Sequence, residues 1–553
     1  MKKARIPVPA PAPSFVSPPE EPHFLPAPLR AALPYFLLVV AVLAAYANIF
    51  DNVLLFDDDL LISLDTNLQG WNHIGDIFAG STTSGAGIMG GFYRPLQILL
   101  YLIVTQLTGG GTFGFHILNL ALHIANCGMM YRLGTKLGFK PWGVFLASLV
   151  WAVHPLHVEA ITYMSGTADP LFVFFTLLAI VLLLPNITQA GIYKIVPLFL
   201  LGLISKETMS VFPLLVMVCL FFTEPKRLDW RSYIRTWPLW LITLVFVHWR
   251  SSNTSLDGPG TYARFYKLPS YVVLKSYSEH LSYRIYTFFA TLPKYLELLV
   301  WPHGLHMERS FPIYMEIALP VVLGFLMCAL ATGWIAHKTI MQRKGLALSW
   351  GLLWFMAAHA PDSGIVYPMN SLFLEHWMYL PTVGLFLGIA ETLATGLQPL
   401  PRARMALATL VLCFAAGLAA KTYAQNAIWH DPGSFYTNIF DYGEVSARAR
   451  NNLGLYYSSQ GRLDEGAAQL KEAIQISDTY AETRHNLALI YLRMPNQQAH
   501  IQDAIDNLNR ALEIDPNFYR SCETLSQLYG ALGDKEKADY YRERAEEILA
   551  GRK

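Results

Sequence analysis

Three consecutive carboxylates, Asp57, Asp58 and Asp59, stand shortly after the first long apolar run, where the chain should leave a membrane. Charge in hydrocarbon costs several kcal/mol, so acids crowded against a membrane helix mark a pathway or a reactive site. Adjacent carboxylates raise each other's affinity for protons, which suits a general base. The same pair can hold a divalent cation, and Asp is also favoured as a helix cap. Glu159 and Asp169 are further acids, later in the chain, with the same placement. His154, His157 and Glu159, spaced three and then two apart, form a candidate metal constellation, although His154-Pro155 is equally a helix stop.

The elements that position these residues are mostly apolar. The chain has 553 residues, of which 53% are hydrophobic and only 15% charged, with mean hydropathy +0.33; soluble domains carry about a quarter charged residues. A net charge of +1 gives no reason to expect nucleic acid. The five cysteines (Cys127, Cys219, Cys328, Cys413, Cys522) include no CxxC and predict neither a disulfide framework nor a metal site. Residues 1–32 open with Lys2, Lys3 and Arg5, continue through many prolines, and read as a disordered cytoplasmic tail.

Apolar runs near 33–50, 113–133, 142–156, 168–185, 192–204, 208–223, 234–250, 315–337, 346–360, 377–397 and 404–422 predict eleven spans within a domain covering 33–424. The short pair at 192–204 and 208–223 is expected either to enter from opposite sides or to kink at Pro213. Basic clusters fix the orientation: Arg132, Lys136 and Lys140; Lys226, Arg227, Arg231 and Arg235; Lys338, Arg343 and Lys344; Arg402 and Arg404 all fall on the N-terminal, cytoplasmic side. Two further apolar stretches, 93–108 and 284–301, would break this pattern if they crossed, and read as helices along the outer interface. The outer face then collects Asp57–Asp59, the 154–169 loop, Lys206-Glu207, the 251–314 segment, the 361–376 loop and everything after 423.

After a linker at 425–444, residues 445–553 become polar, Ala-rich and repetitive. Leu453-Gly454 and Tyr457 reappear as Leu487-Ala488 and Tyr491, then as Leu525 and Tyr529, with the leucines 34 and then 38 residues apart. That period predicts three tetratricopeptide repeats, with the extra four residues in a loop at Pro495–His500. The fold class is therefore all-α: a polytopic helix bundle followed by a repeat solenoid.

Read in order, Phe56-Asp57-Asp58, Asn67-Leu68, Trp71, Tyr93-Arg94-Pro95-Leu96, His154-Pro155-Leu156-His157-Val158-Glu159, Ser165-Gly166, Ala168-Asp169, Ser205-Lys206-Glu207-Thr208 and Asn370-Ser371-Leu372-Phe373-Leu374-Glu375 resemble the transmembrane and tetratricopeptide-repeat O-mannosyltransferases and their bacterial relatives, of the GT-C class. The resemblance implies a sugar donor on a polyprenyl phosphate, an acid after the first span as base, and inversion at the anomeric carbon. A Ser or Thr hydroxyl is a weak nucleophile at neutral pH and needs a carboxylate to take its proton. Asp57 and Asp58 match the family's pair and Asp59 is extra; Glu159 and Asp169 are candidates for a second acid. Lys206 and Arg94 are the best phosphate partners, as a compact charge and a planar fork. Lys206 has a plain alternative, pairing with Glu207 or Glu159. His157 is a candidate ligand to sugar or phosphate. His376, after Glu375, stands where the family usually has an arginine, and as a neutral group would be a poorer clamp.

Tyr262, Tyr266, Tyr271, Tyr277, Tyr283, Tyr286 and Tyr314, interleaved with Arg264, Lys267, Lys275 and Arg284, suit a membrane interface. Asn452 and Asn486 occupy equivalent positions on the groove helices of the repeats and resemble an asparagine ladder that grips a peptide backbone. The implied partners are the lipid-linked sugar, an acceptor protein or peptide in that groove, and membrane lipid. The only cofactor in view is a divalent cation at Asp57 and Asp58. The expected location is a bacterial inner membrane with the repeats periplasmic, or an endoplasmic reticulum membrane in a eukaryote. Two other readings compete: a glycan or lipid-linked acceptor, and a non-catalytic membrane-anchored assembly scaffold.

Overall fold

The computed structural model describes residues 26–87, 91–224, 229–253, 275–342, 346–369 and 371–550. Residues 1–25 of the proline-rich tail, Tyr262, Tyr266, Tyr271, Arg264, Lys267, Lys226, Arg227, Arg343, Lys344 and Asn370 lie outside them, while the last residues expected in that tail already belong to the first helix, Ala27–Ala45. Among the described residues the chain is helical throughout, with no strand.

Each of the eleven expected spans is a helix. Five are long and apolar enough to cross a membrane, Pro28–Ala45, Thr112–Lys136, Met164–Leu183, Leu319–Ile340 and Pro401–His430, and a bent pair, Pro141–Ala152 with Pro155–Thr162, would make a sixth. The other expected spans are shorter than the roughly 20 residues that a hydrocarbon core about 30 Å thick requires. Several of these helices are flanked by 3-10 turns, as at Glu207–Val211, Pro361–Ser363 and Glu375–Met378. These turns carry Glu207, Glu375 and His376, and Lys206 stands immediately before the first of them. Pro213 does not kink a helix; it sits in the first turn of Phe212–Thr223, where its missing N–H costs nothing. The stretches at 93–108 and 284–301 form the helices Pro95–Thr108 and Leu281–Val300.

Helix Thr112–Lys136 packs against Ala27–Ala45, Pro141–Ala152 and Ala168–Leu183. Its polar residues point inward: Asn126 donates to the Pro170 carbonyl at 2.8 Å and Asn119 to the Ile161 carbonyl at 3.1 Å, so buried amides fix where the outer loops begin. Helices Ala347–His359 and Pro381–Gly396 approach more closely than side chains would allow. A Cβ at Gly388 would lie 2.7 Å from the Ala347 carbonyl oxygen, and one at Gly351 would lie 2.5 Å from that of Gly384. Small residues at such crossings let backbones touch where lipid offers no hydrophobic drive. Gly388→Val is therefore expected to overpack this pair at a cost of about 1–3 kcal/mol, seen as a lower Tm of the full chain in detergent.

The linker is ordered. Ile428–His430 and Pro432–Asp441 continue from the last long helix, and Trp429 packs between Phe435 (4.7 Å) and Tyr163 (5.6 Å). Six helices follow, Ala447–Ser459, Leu463–Ile476, Ala481–Arg493, Gln497–Ile514, Tyr519–Ala531 and Lys535–Ala550. The extra four residues of the second repeat are not a loop: Gln497–Ile514 is an 18-residue helix where its counterpart Leu463–Ile476 has 14. Four residues are about one helical turn, so they lengthen the helix while its apolar face stays on the neighbour. Ala449 and Leu453 of the first repeat join the same buried cluster as the membrane bundle. The first repeat is thus docked on the helix bundle.

Candidate active site

Phe56 turns the loop after the first helix with φ of +61°, a left-handed conformation that costs a non-glycine residue about 1–2 kcal/mol. The two aspartates that follow have opposite environments. Asp58 is buried: its Oδ1 accepts from the Ser165 backbone N–H at 2.7 Å and the Ser165 hydroxyl at 2.6 Å, and its Oδ2 accepts from the Leu55 N–H at 2.9 Å. Asp57 keeps a third of its side chain exposed, and its Oδ1 accepts from the Arg448 guanidinium. Its backbone N–H donates to the Tyr163 hydroxyl at 2.9 Å. Asp59 is exposed and accepts from its own helical neighbour Ser63 at 3.4 Å.

Burial pushes the Asp58 carboxyl from its ordinary 3.8 to about 7, against the pull of its hydrogen bonds from Ser165 and Leu55. A folded-state pKa above the unfolded one means that the stabilisation is fully present below about pH 4 and is lost as pH rises through about 7. At 1.36 kcal/mol per unit, this loss is on the order of 4 kcal/mol. Asp58→Asn, which cannot ionise, is expected to flatten the fall in thermal stability between pH 4 and 7 that the unsubstituted chain shows in a melting series.

A second group of charges lies around the 154–169, 205–211 and 361–376 turns. Glu159 is buried, and its Oε2 accepts from the backbone N–H groups of Glu375 (3.0 Å) and His376 (3.1 Å). Its Oε1 lies 2.9 Å from His376 Nδ1, an ion-pair distance rather than an aligned hydrogen bond. The other imidazole nitrogen of His376 is 3.9 Å from Asp169 Oδ2. Burial works against the charged imidazole, yet the Glu159 and Asp169 carboxylates hold its pKa above the ordinary value. The two carboxylates thus favour the charged form of this imidazole. Lys206 is buried and pairs with Asp169 at 2.6 Å, not with Glu207 or Glu159. Glu207 instead takes a bidentate fork from Arg94, at 2.8 and 3.1 Å, with Arg250 3.9 Å away. Burial pushes the Glu207 carboxyl up, but Arg94 and Arg250 together hold it well below the carboxylate range. Glu375 accepts from the His306 N–H (3.0 Å) and Arg309 (3.2 Å); burial and the Glu159 charge raise its pKa.

The two groups are joined. Tyr101 donates to the Met164 carbonyl at 2.6 Å, Gln97 donates to Tyr101 and to the Ser165 carbonyl, and the Tyr101 hydroxyl senses both Asp58 and Arg94. His154 and His157 do not take part. His154 Nε2 is 3.1 Å from the Leu299 carbonyl and its Nδ1 accepts from the Leu156 N–H, while His157 Nδ1 is 2.9 Å from the Trp151 carbonyl. Both are fully buried behind the outer turns, so the expected role of His157 on sugar or phosphate has no geometry to support it. With Glu159 bound to backbone N–H groups, the three side chains do not converge on one ion. Among the described residues no group of three His, Cys, Asp or Glu side chains has metal-site geometry. Asp57 and Asp58 do not fit a divalent cation either, since both Asp58 oxygens already accept from N–H or O–H donors and Asp57 faces a guanidinium.

Asn452 donates to the Tyr436 hydroxyl at 3.0 Å and Asn486 to Asn451 at 3.1 Å. Several residues of the site carry no local sequence signal. Arg448 meets Asp57 across 391 positions. Arg309 sits within the tyrosine-rich segment, its guanidinium 5.5 Å from the Phe373 ring. Asp362, which burial raises to about 7, lines a cavity of about 10 Å³ with Tyr277, Thr291 and His359.

Fold and site together define a multi-pass helical membrane protein whose interhelical turns gather buried acids and cations next to a docked tetratricopeptide domain. The chain resembles the protein O-mannosyl-transferases that combine transmembrane and tetratricopeptide-repeat segments. One from Caenorhabditis elegans is 24% identical over 70% of this chain and 54% of its own length. One from Drosophila melanogaster is 24% identical over 81% and 56%, and a human one is 23% identical over 79% and 66%. The chain thus spans between half and two thirds of the length of these relatives. A tetratricopeptide-repeat family model matches residues 447–480. ArnT from Cupriavidus metallidurans bound to undecaprenyl phosphate is 12% identical, with a TM-score of 0.38 over 91% of this chain and 81% of its own, too distant to fix fold or ligand.

Proposed function

We propose that the chain is a GT-C-type glycosyltransferase that moves mannose from a polyprenyl-phosphate carrier to a Ser or Thr hydroxyl of a protein on the non-cytoplasmic face. The observation that carries this is the division between the paired aspartates. Asp58 is a buried strut with both oxygens occupied, while Asp57 presents a carboxylate at the edge of the site. A base must reach the proton that it removes, and Asp57 meets that condition. In one displacement the acceptor oxygen bonds to the anomeric carbon, the bond from that carbon to the phosphate oxygen breaks, and the hydroxyl proton passes to Asp57. The departing phosphate gains negative charge, which preorganised cations stabilise best. Arg94, Lys206 and His376 supply them, with Glu207, Asp169 and Glu159 fixing where each points. The relatives' names support mannose as the sugar and a protein as the acceptor.

The test is transfer by the purified full chain from radiolabelled polyprenyl-phosphate mannose to a pool of Ser- and Thr-containing peptides. Label bound to peptide through an alkali-labile bond is the expected result. Label found only in lipid-linked glycan would overturn the choice of acceptor, and no transfer to any acceptor would overturn the enzyme reading.

A further inference from the structure

The acid site is not built by the membrane domain alone. Arg448, the second residue of helix Ala447–Ser459, reaches the Asp57 carboxylate, lies over the Phe56 ring with its guanidinium carbon 3.6 Å from the centroid, and is only 14% exposed. We propose that Arg448, contributed by the first repeat, is a positioning residue for Asp57, so that the repeat domain is a working part of the acid site. This rests on the reading of Asp57 as the base.

Three observations separate this role from simple docking. First, other contacts already hold the first repeat in place. The Ser446 hydroxyl donates to Glu308, Glu444 lies 2.9 Å from His306 Nε2 and accepts from the Ser310 N–H at 2.8 Å, and Ala449 and Leu453 are buried in the bundle core. Arg448 is not needed for attachment, yet it occupies the one exposed acid of the pair. Second, its stack on Phe56 fixes the residue whose left-handed turn leads directly into Asp57. A guanidinium held on a ring face is planar and preorganised, so it restricts the carboxylate that it binds. Third, Arg448 stands at the same repeat position as Glu482 and Arg520, by the spacing that relates Leu453, Leu487 and Leu525. Arg520 and Glu482 are themselves 3.7 Å apart. A polar chain runs the same way: Asn486 donates to Asn451, Asn451 to Asn452, and Asn452 to Tyr436, whose hydroxyl senses the Arg448 charge. The equivalent positions of the three repeats therefore lead toward Arg448 and its partner Asp57, so that a peptide following them would arrive at the base.

The experiment uses the full chain in detergent with polyprenyl-phosphate mannose and the Ser/Thr peptide pool, comparing Arg448→Gln and Arg448→Lys. A misplaced base costs rate rather than donor affinity, so Arg448→Gln is expected to lower kcat about 10- to 100-fold with the donor KM within about twofold. Arg448→Lys, which keeps a cation over Phe56, is expected to recover most of that loss. Amide hydrogen exchange gives a readout that needs no turnover. In Arg448→Gln, residues 55–59 are expected to exchange faster while 463–476 stay as protected as before. An unchanged kcat, or equal loss of protection in both segments, would overturn the proposal. If the unsubstituted chain transfers no mannose, the functional reading fails and the exchange comparison alone decides the role of Arg448.

Discussion

Asp57→Asn is expected to reduce transfer about a thousandfold with little change in stability, because a positioned general base contributes about 10²–10⁴ in rate. The amide keeps the size of the side chain and an oxygen to accept from Arg448, so the loop should hold its shape. A partly exposed ion pair of this kind contributes about 1 kcal/mol or less, and Asp57 is a third exposed. Asp58→Asn should behave in the opposite way. It loses an acceptor for the Leu55 N–H, worth about 1 kcal/mol, and alters stability and its pH dependence more than chemistry. Transfer rates and melting temperatures of the two variants side by side check the assignment: if Asp58→Asn loses the thousandfold and Asp57→Asn does not, the roles are reversed.

Lys206→Met carries the second large effect and acts on two measurements at once. Lys206 and Asp169 are both buried and 2.6 Å apart. Removing one partner of such a pair strands the other charge, at a cost of about 3–5 kcal/mol; here Asp169 would keep the more distant His376, at 3.9 Å. The same change removes a cation from the proposed phosphate site, where negative charge grows as the sugar leaves. Losing one such donor is expected to lower kcat about 10²-fold. The double variant Lys206→Met/Asp169→Leu separates the two effects: melting temperature should recover while transfer does not. Recovery of transfer as well would remove Lys206 from the reaction.

Much of this site could be read along the chain. The acids and cations that line it, Asp57, Arg94, Glu159, Asp169, Lys206, Glu207, Glu375 and His376, stand in outer segments that loop charge alone assigns to one face, and the repeat period marks the second domain. Pairing was less legible, because it depends on which of several equivalent charges a turn brings close. Lys206 had three acids available and took Asp169, 37 positions away, because Glu207 was already held by Arg94 and Glu159 by backbone N–H groups. His154 and His157 have the spacing of ligands, but a 3-10 turn at Pro155–His157 sends both inward to carbonyls. The four extra residues of the second repeat resembled a loop because Pro495 stands at their start, yet one added helical turn preserves the apolar register. Arg448 was invisible, since a basic residue at the start of a repeat helix is ordinary until the fold sets it against Asp57.

The most direct measurement of the central claim is the anomeric configuration of the sugar before and after transfer. Mannose released from the peptide product by exoglycosidases of known specificity, and compared with the polyprenyl-phosphate donor, is expected to show inversion, as a single displacement assisted by Asp57 requires. Retention would mean that a residue of the chain attacks the sugar first, and would contradict the assignment of Asp57 as a base acting on the acceptor hydroxyl.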